Sequence, residues 1–347
     1  MKISKKIVPS EYGDITLYTL ENNSGASVTL SSLGAGITAV NVPDSKGVIE
    51  NVALCYANPA DYMADGPCAG KIPGRYANRI AKGRLRVDGS DYQLAINNGP
   101  NALHGGPTGF MNRIWNSRVN GDSVIFYRIS PDGEENYPGN LTVEAVYSWS
   151  EDNVLRLVLS ASTDKPTVVN LTNHCYWNLD GENAGSVLDH KLWLAASRYL
   201  PTDDTLIPTG EMAPVSGTPM DFTETKAIGR DIKKDFPALV YGKGYDNCWV
   251  IDDYSFDNLK TVAVLESDRS GRVLEVRTTQ PAVQVYTGNW LAGCPANPEG
   301  RSYNDYDGVA IECQGMPDAV HHCDFPSQQL WPEEYYLKEI EFKFTTK

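Results

Sequence analysis

The chain has no long apolar run. Nothing in it approaches the roughly 20 consecutive apolar residues that a membrane-crossing helix requires. Its first residues, Met1-Lys2-Ile3-Ser4-Lys5-Lys6, lead into Pro9, Glu11 and Asp14 rather than into an apolar signal core. A soluble, cytoplasmic protein without membrane contacts is the expectation. Basic charge is also scarce: 30 Lys and Arg stand against 44 Asp and Glu, a net charge of −14. Basic runs are limited to Lys5-Lys6 and Lys233-Lys234. That balance keeps the chain soluble and argues against a phosphate-backbone partner, so no nucleic acid is expected.

Cysteine is sparse and badly placed for cross-linking. The seven (Cys55, Cys68, Cys175, Cys248, Cys294, Cys313, Cys323) are odd in number and widely spread, with no C-x-x-C pair. Neither a disulfide framework nor a zinc ribbon fits, and most are expected to be reduced apolar fillers. His321-His322-Cys323 groups metal-ligating types, but consecutive residues on an extended chain point to opposite faces, so no metal is expected there. There is no glycine-rich strand–turn–helix fingerprint, which argues against a nucleotide cofactor. Linkers, low-complexity segments and short repeats are missing too, and one large domain over residues 1–347 is preferred despite the length.

Long stretches of helical period are lacking; only 226–236 suggests a short helix. What is present is alternation. Leu141, Val143, Ala145, Tyr147 and Trp149 share one face of a strand, and Leu155, Leu157, Leu159 and Ala161 share one face of the next. Similar runs occur at 27–31, 123–129, 261–266 and 273–279, several separated by turn signals such as Pro131-Asp132-Gly133 and Ser270-Gly271. Tyrosines number 19 against 8 phenylalanines, as suits half-buried pleated surfaces. The fold class is all-β.

Three of the expected strands carry an unusual second face. Along 169–178, Asn170, Thr172, His174, Tyr176 and Asn178 oppose a largely apolar Val169, Leu171, Asn173, Cys175 and Trp177. Along 282–288, Ala282, Gln284, Tyr286 and Gly288 oppose Val283, Val285 and Thr287; along 309–315, Ala310, Glu312 and Gln314 oppose Val309, Ile311 and Cys313. A merely solvated face carries Lys, Glu and Arg. These carry uncharged hydrogen-bonders with single titratable groups, the lining a concave site for a small-molecule sugar would need. Two loops add to the pattern: Arg75 and Arg79 flank Asn78, and His104 precedes Gly105-Gly106, where backbone could approach a ligand.

Together these segments resemble the aldose 1-epimerase (galactose mutarotase) family. The matching stretches are Gly74-Arg75-Tyr76-Ala77-Asn78-Arg79-Ile80, Leu103-His104-Gly105-Gly106, Asp132 to Gly139, Leu171 to Leu179, Gly244-Tyr245-Asp246, Gln280 to Gly288 and Glu312-Cys313-Gln314. They occur in the family's order, and similarity runs from about residue 12 to the C-terminus. The resemblance implies a large antiparallel β-sandwich with an open sugar-binding cleft, no cofactor, and interconversion of the α and β anomers of free aldoses such as glucose and galactose. It implies Glu312 as general base and His174 as general acid. Asn78, Arg79, His104, Tyr176, Asn178, Asp246 and Gln284 are implied as sugar binders, with Arg75 structural. A monomer or weak homodimer is expected. Asn247, Cys248 and Trp249 after Asp246, and Cys175 and Trp177 around His174, depart from the commoner family residues and bear on substrate preference.

Opening a pyranose ring needs a proton taken from the C1 hydroxyl and one delivered to the ring oxygen, hence two groups with pKa values pushed apart. The expected starting state has Glu312 ionised and His174 protonated, with Asp246 favouring the imidazolium. Three other readings compete: a non-catalytic carbohydrate-binding module, a hexose 6-phosphate mutarotase, and a glycosidase using Asp246 with Glu312 as its carboxylate pair.

Overall fold

The computed structural model describes residues 1–347. Antiparallel sheets account for the architecture. The largest has nine strands, in spatial order Asn116–Asn120, Ser123–Ser130, Leu141–Trp149, Val154–Thr163, Tyr336–Thr346, Arg272–Thr278, Lys260–Glu266, Lys191–Leu194 and Lys226–Ala227. A six-stranded sheet runs Tyr176–Trp177, Val309–Gln314, Ala282–Tyr286, Asp246–Val250, Arg198–Tyr199 and Ala213–Pro214. A five-stranded sheet is built from the first 51 residues, ending at Ile49–Asn51.

Alternation explains how the sheets pack. Leu141, Val143, Ala145, Tyr147 and Trp149 of the nine-stranded sheet are all buried, as are Leu155, Leu157, Leu159 and Ala161 in the adjoining strand. Val283, Val285, Val309, Ile311 and Cys313 of the six-stranded sheet join them in one buried cluster of 59 residues, which also takes in Val28, Leu30 and Val40 of the five-stranded sheet. Non-directional burial of apolar area holds the layers together. With the odd-numbered residues of 282–286 and 309–313 committed to this core, the even-numbered ones must face the other way.

Two expectations about local structure change. Residues 226–236 hold only the short strand Lys226–Ala227 and a 3₁₀ turn over Ile228–Arg230; the α-helix lies at Pro237–Gly242. Proline at the first helical position pre-sets φ and lacks an N–H the helix would not use. Lys226 instead makes a buried ion pair with Asp231 at 2.8 Å. Along 169–178 only Tyr176–Trp177 forms a ladder. The preceding residues are extended but bond the loop at 70–77: His174 N–H donates to the Lys71 carbonyl and Asn170 N–H to the Arg75 carbonyl, at 2.9 and 3.0 Å. No helix is long and apolar enough to cross a membrane.

Candidate active site

Sheet register assembles the floor of a cleft. Asp246 pairs with Tyr286, Tyr286 with Ala310 and Ala310 with Tyr176, giving one row across four strands. The next row sets Cys248 beside Gln284 and Gln284 beside Glu312. His174, two residues before Tyr176, brings Nε2 to 3.4 Å from Glu312 Oε1. A cavity of about 540 Å³ lies over these rows, lined by Asn78, Arg79, His104, His174, Tyr176, Asp246, Tyr286 and Glu312 among others.

The walls come from loops. Asn78 and His104 both hold left-handed backbone, φ 66° and 54°. They clasp each other: Asn78 N–H donates to His104 Nδ1 and His104 N–H to the Asn78 carbonyl, both at 3.1 Å. With Nδ1 accepting, neutral His104 carries its proton on Nε2. Burial pushes its pKa well below the ordinary value, with His174 and Arg79 adding to the shift, so the ring stays neutral. Gly105 and Gly106 do not open a path to a ligand, as the sequence suggested. A side chain on Gly105 would strike the Gly74 carbonyl, and φ is 82° there, so glycine serves loop packing.

Arg79 is held from two sides. Its Nε donates to Asn98 Oδ1 at 3.0 Å, and its Nη2 lies 3.4 Å from Asp246 Oδ2. The other Asp246 oxygen accepts from Gln284 Nε2 at 2.7 Å. Gln284 therefore backs Asp246 rather than lining the cavity, although its own Oε1 is left without a partner. Tyr176 donates its hydroxyl to the Pro67 carbonyl at 2.9 Å and lays its ring 5.0 Å from that of His174.

The resemblance-derived set is thus largely brought together, but two expected sugar binders do not line the cavity: Gln284, which stands behind Asp246, and Asn178. Asn178 is fully buried away from the cleft; its Nδ2 donates to the Gly185 and Asp307 carbonyls at 2.6 and 3.0 Å, and its Oδ1 accepts from Asp180 N–H. It shares the parity of His174 and Tyr176, but the cleft ends before reaching it. Arg75 is likewise structural, its guanidinium bonded to carbonyls of Ser130, Pro131, Pro138 and Gly139. The sequence reading did not name Tyr286, Trp290, Asn98, Tyr241 or the Asp204–Thr205–Leu206 turn as site residues, yet all line the cavity. Tyr286 was within reach, since it shares the face of Gln284. The rest lie on loops with no periodic signal.

The electrostatics of the floor differ from expectation. Burial pushes the Glu312 carboxyl well above its usual range, with Asp246 adding to the shift and Arg79 opposing it. Burial lowers His174 to about 4, and Asp246 recovers only part of this. A neutral imidazole beside a neutral carboxyl holds one proton between them, and so does an imidazolium beside a carboxylate. The two are tautomers of one state, and such a pair titrates as a unit. In the empty cleft desolvation puts the shared proton on Glu312. Glu312 Oε2 and His174 Nδ1 have no hydrogen-bond partner in the protein.

A buried acid and base stand in contact under a cleft of amides, aromatic rings and the paired Arg79 and Asp246, an arrangement chemically able to move protons on a hydroxylated ligand. The comparisons make this specific. The family model for aldose 1-epimerase matches residues 16–343. The chain is 41% identical to human galactose mutarotase over 338 residues, covering 97% of this chain and 96% of that protein. It is 38% identical to the aldose 1-epimerase of Escherichia coli K12 over 331 residues, 94% of each. A solved C. elegans aldose epimerase homologue superposes with a TM-score of 0.87 at 29% identity over 99% of both chains. A galactose 1-epimerase structure from Lactobacillus acidophilus gives 0.84 at 29% identity, again over 99% of both.

The chain belongs to the aldose 1-epimerase family. It is an isomerase that interconverts the anomers of aldoses, built on the antiparallel β architecture of the galactose mutarotases.

Proposed function

We propose that Glu312 and His174 carry the proton transfers and that free neutral hexoses, glucose and galactose, are the substrates. The observation that carries this is the 3.4 Å approach of His174 Nε2 to Glu312 Oε1 on the cleft floor, with one atom of each group unpartnered. In the ring-opening direction Glu312 accepts the C1 hydroxyl proton while His174 protonates the ring oxygen. The C1–O5 electron pair stays on O5, and C1=O1 forms. Rotation about C1–C2 and the reverse transfers close the ring on the other face. This route uses the tautomer with the proton on His174. Arg79 favours that tautomer from the carboxylate side, while Asp246 stabilises the imidazolium but raises the carboxyl as well. Arg79, Asn78 and the Nε2–H of His104 are placed to bond sugar hydroxyls and to meet charge developing on the carbonyl oxygen.

The charges of the lining favour a neutral sugar. Arg79 is its only cationic side chain and is already paired with Asp246, while Asp204, Asp246 and Glu312 are acidic. A hexose 6-phosphate would meet repulsion there. A binding module would have no use for a desolvated, under-bonded acid–base pair. We further propose that the chain acts as one domain, since the 59-residue core joins its three largest sheets. Its seven cysteines are all free, which fits the cytoplasm, and we propose a monomer or weak homodimer there.

Polarimetry tests this reading. Freshly dissolved α-D-glucose and α-D-galactose should reach their final rotations faster with the protein present, and glucose 6-phosphate should be little affected. Acceleration of the phosphate alone would reverse the substrate assignment.

A further inference from the structure

His321 and His322 have no part in the cleft chemistry, yet they share a partner. The chain turns there in a 3₁₀ element over Ala319–His321 instead of running extended, and both rings fold back on Asp318. His321 Nδ1 lies 2.6 Å from Asp318 Oδ1, and His322 Nε2 lies 3.6 Å from Oδ2. Asp318 is buried and holds left-handed backbone, φ 55°. A non-glycine residue keeps that conformation only where its surroundings over-determine it.

Those surroundings lead to the cleft. Asp318 N–H donates to the Arg79 carbonyl at 3.0 Å, and Asp318 Oδ1 accepts from Ala81 N–H at 2.9 Å. One residue thus grips the main chain on both sides of Ile80, directly behind the arginine that reaches Asn98 and Asp246. The next residue, Ala319, donates its N–H to Tyr76 Oη at 3.1 Å, on the same segment. In the other direction only Gly315-Met316-Pro317 separates Asp318 from Val309–Gln314, the strand bearing Glu312. Asp318 links the strand of the buried carboxyl to the segment of the cleft arginine.

We propose that Asp318 is a positioning residue for Arg79. Its carboxylate, oriented by His321, fixes the Arg79–Ala81 backbone so that the guanidinium meets Asp246 at the cleft edge. It touches neither the sugar nor the reacting atoms. The inference rests on the anomer-interconverting reading of the cleft and adds to it a residue outside the cavity.

A double-mutant cycle on kcat/KM for glucose mutarotation is the test, comparing wild type, Asp318→Ala, Arg79→Lys and the double variant. Misplacing a binding group by about 1 Å can cost about 10²-fold, and a loss of that order is expected for Asp318→Ala. In the Arg79→Lys background the same substitution should add less than about threefold, because both act through one guanidinium. Asp318→Asn keeps an acceptor for Ala81 N–H and should recover most of the loss. Full multiplication of the two single losses would overturn the proposal, as would wild-type turnover in Asp318→Ala. If Asp318→Ala does not fold, His321→Ala enters the cycle, with an expected loss of about threefold that disappears in the Arg79→Lys background; persistence of that loss would overturn the proposal equally. A wild-type protein that accelerates no sugar would refute the activity reading itself and take this inference with it.

Discussion

Two buried acid–base pairs lie in adjoining segments of the chain, one behind the cleft and one on its floor, and they are built in different ways. Lys71 and Asp65 are both fully covered and in direct ionic contact, Asp65 Oδ1 facing the ammonium without a further hydrogen bond. The Lys71 ammonium meets Asp65, the Tyr62 carbonyl and Asn112 Oδ1; Asp65 also accepts from the Tyr56 hydroxyl and Ala69 N–H. Three residues further along the extended chain from Leu171, His174 takes its backbone N–H to the Lys71 carbonyl, so the pairs are neighbours. His174 and Glu312 are as well buried, but they stand 3.4 Å apart with an oxygen and a nitrogen unpartnered. The first pair lies outside the cavity lining and turns its contacts to the surrounding protein. The second keeps its bonding capacity open at the floor of a cavity. Contacts turned wholly inward to the protein mark a structural pair, and unpartnered atoms at the floor of a cavity mark a functional one.

The largest expected effect comes from disabling the open pair. Glu312→Gln and His174→Asn should each lower kcat by about 10²–10⁴-fold, while sugar affinity measured by calorimetry changes far less. Equal losses in turnover and affinity would remove the acid–base assignment. The pair outside the cavity should behave in reverse. Lys71→Met leaves Asp65 buried and uncompensated, at a cost of about 3–5 kcal/mol in denaturant unfolding, with the remaining folded protein still turning over sugar. Loss of turnover in a fully folded Lys71→Met sample would erase the distinction.

A smaller effect sharpens the comparison through linkage. Glu312 has a folded-state pKa raised above its unfolded one, so its contribution to stability is complete at low pH. That contribution declines as pH rises from about 4.5 towards the folded value. His174 has its pKa depressed, so its contribution is complete above 6.5 and is lost as pH falls towards about 4. Glu312→Gln should therefore flatten the alkaline side of a Tm-against-pH curve, and His174→Asn the acid side. At pH 8 the Gln variant should melt about 1–3 °C above wild type. A lower Tm for Glu312→Gln at that pH would contradict the upward shift of the buried carboxyl. The smallest effect belongs to Asn178, which shares a face with His174 but is saturated. Asn178→Ala should cost about 1–3 kcal/mol of stability and leave kcat/KM for glucose as it was; a selective rise in KM would return it to the site.

The same contrast shows how far the sequence could be read. Strands such as Leu141–Trp149, Ala282–Tyr286 and Val309–Gln314 were legible because one side of each must be apolar, and that rule is written into alternate residues. The polar parity of 170–178 was also legible, but its partners were not. Those residues bond a loop about a hundred positions earlier, so the segment is extended without being a strand. Parity alone placed Asn178 with His174, because it does not report where a cleft ends. Asn98, Asp204, Tyr241 and Trp290 come from loops brought together only by the packed sheets, and nothing local in the sequence records that meeting. The order of the family motifs supplied what periodicity could not, namely that His174 and Glu312 converge.

The account rests on a pair that shares one proton, and the pH dependence of kcat/KM for glucose mutarotation tests that most directly, since it reports ionisations of the free enzyme. It should be level through pH 6.5 and fall only as pH approaches about 4, where His174 in the empty cleft takes up a second proton. A half-maximal drop centred near 6.5, the ordinary histidine value, would mean that His174 titrates as an independent, solvated group, and would contradict the shared-proton pair.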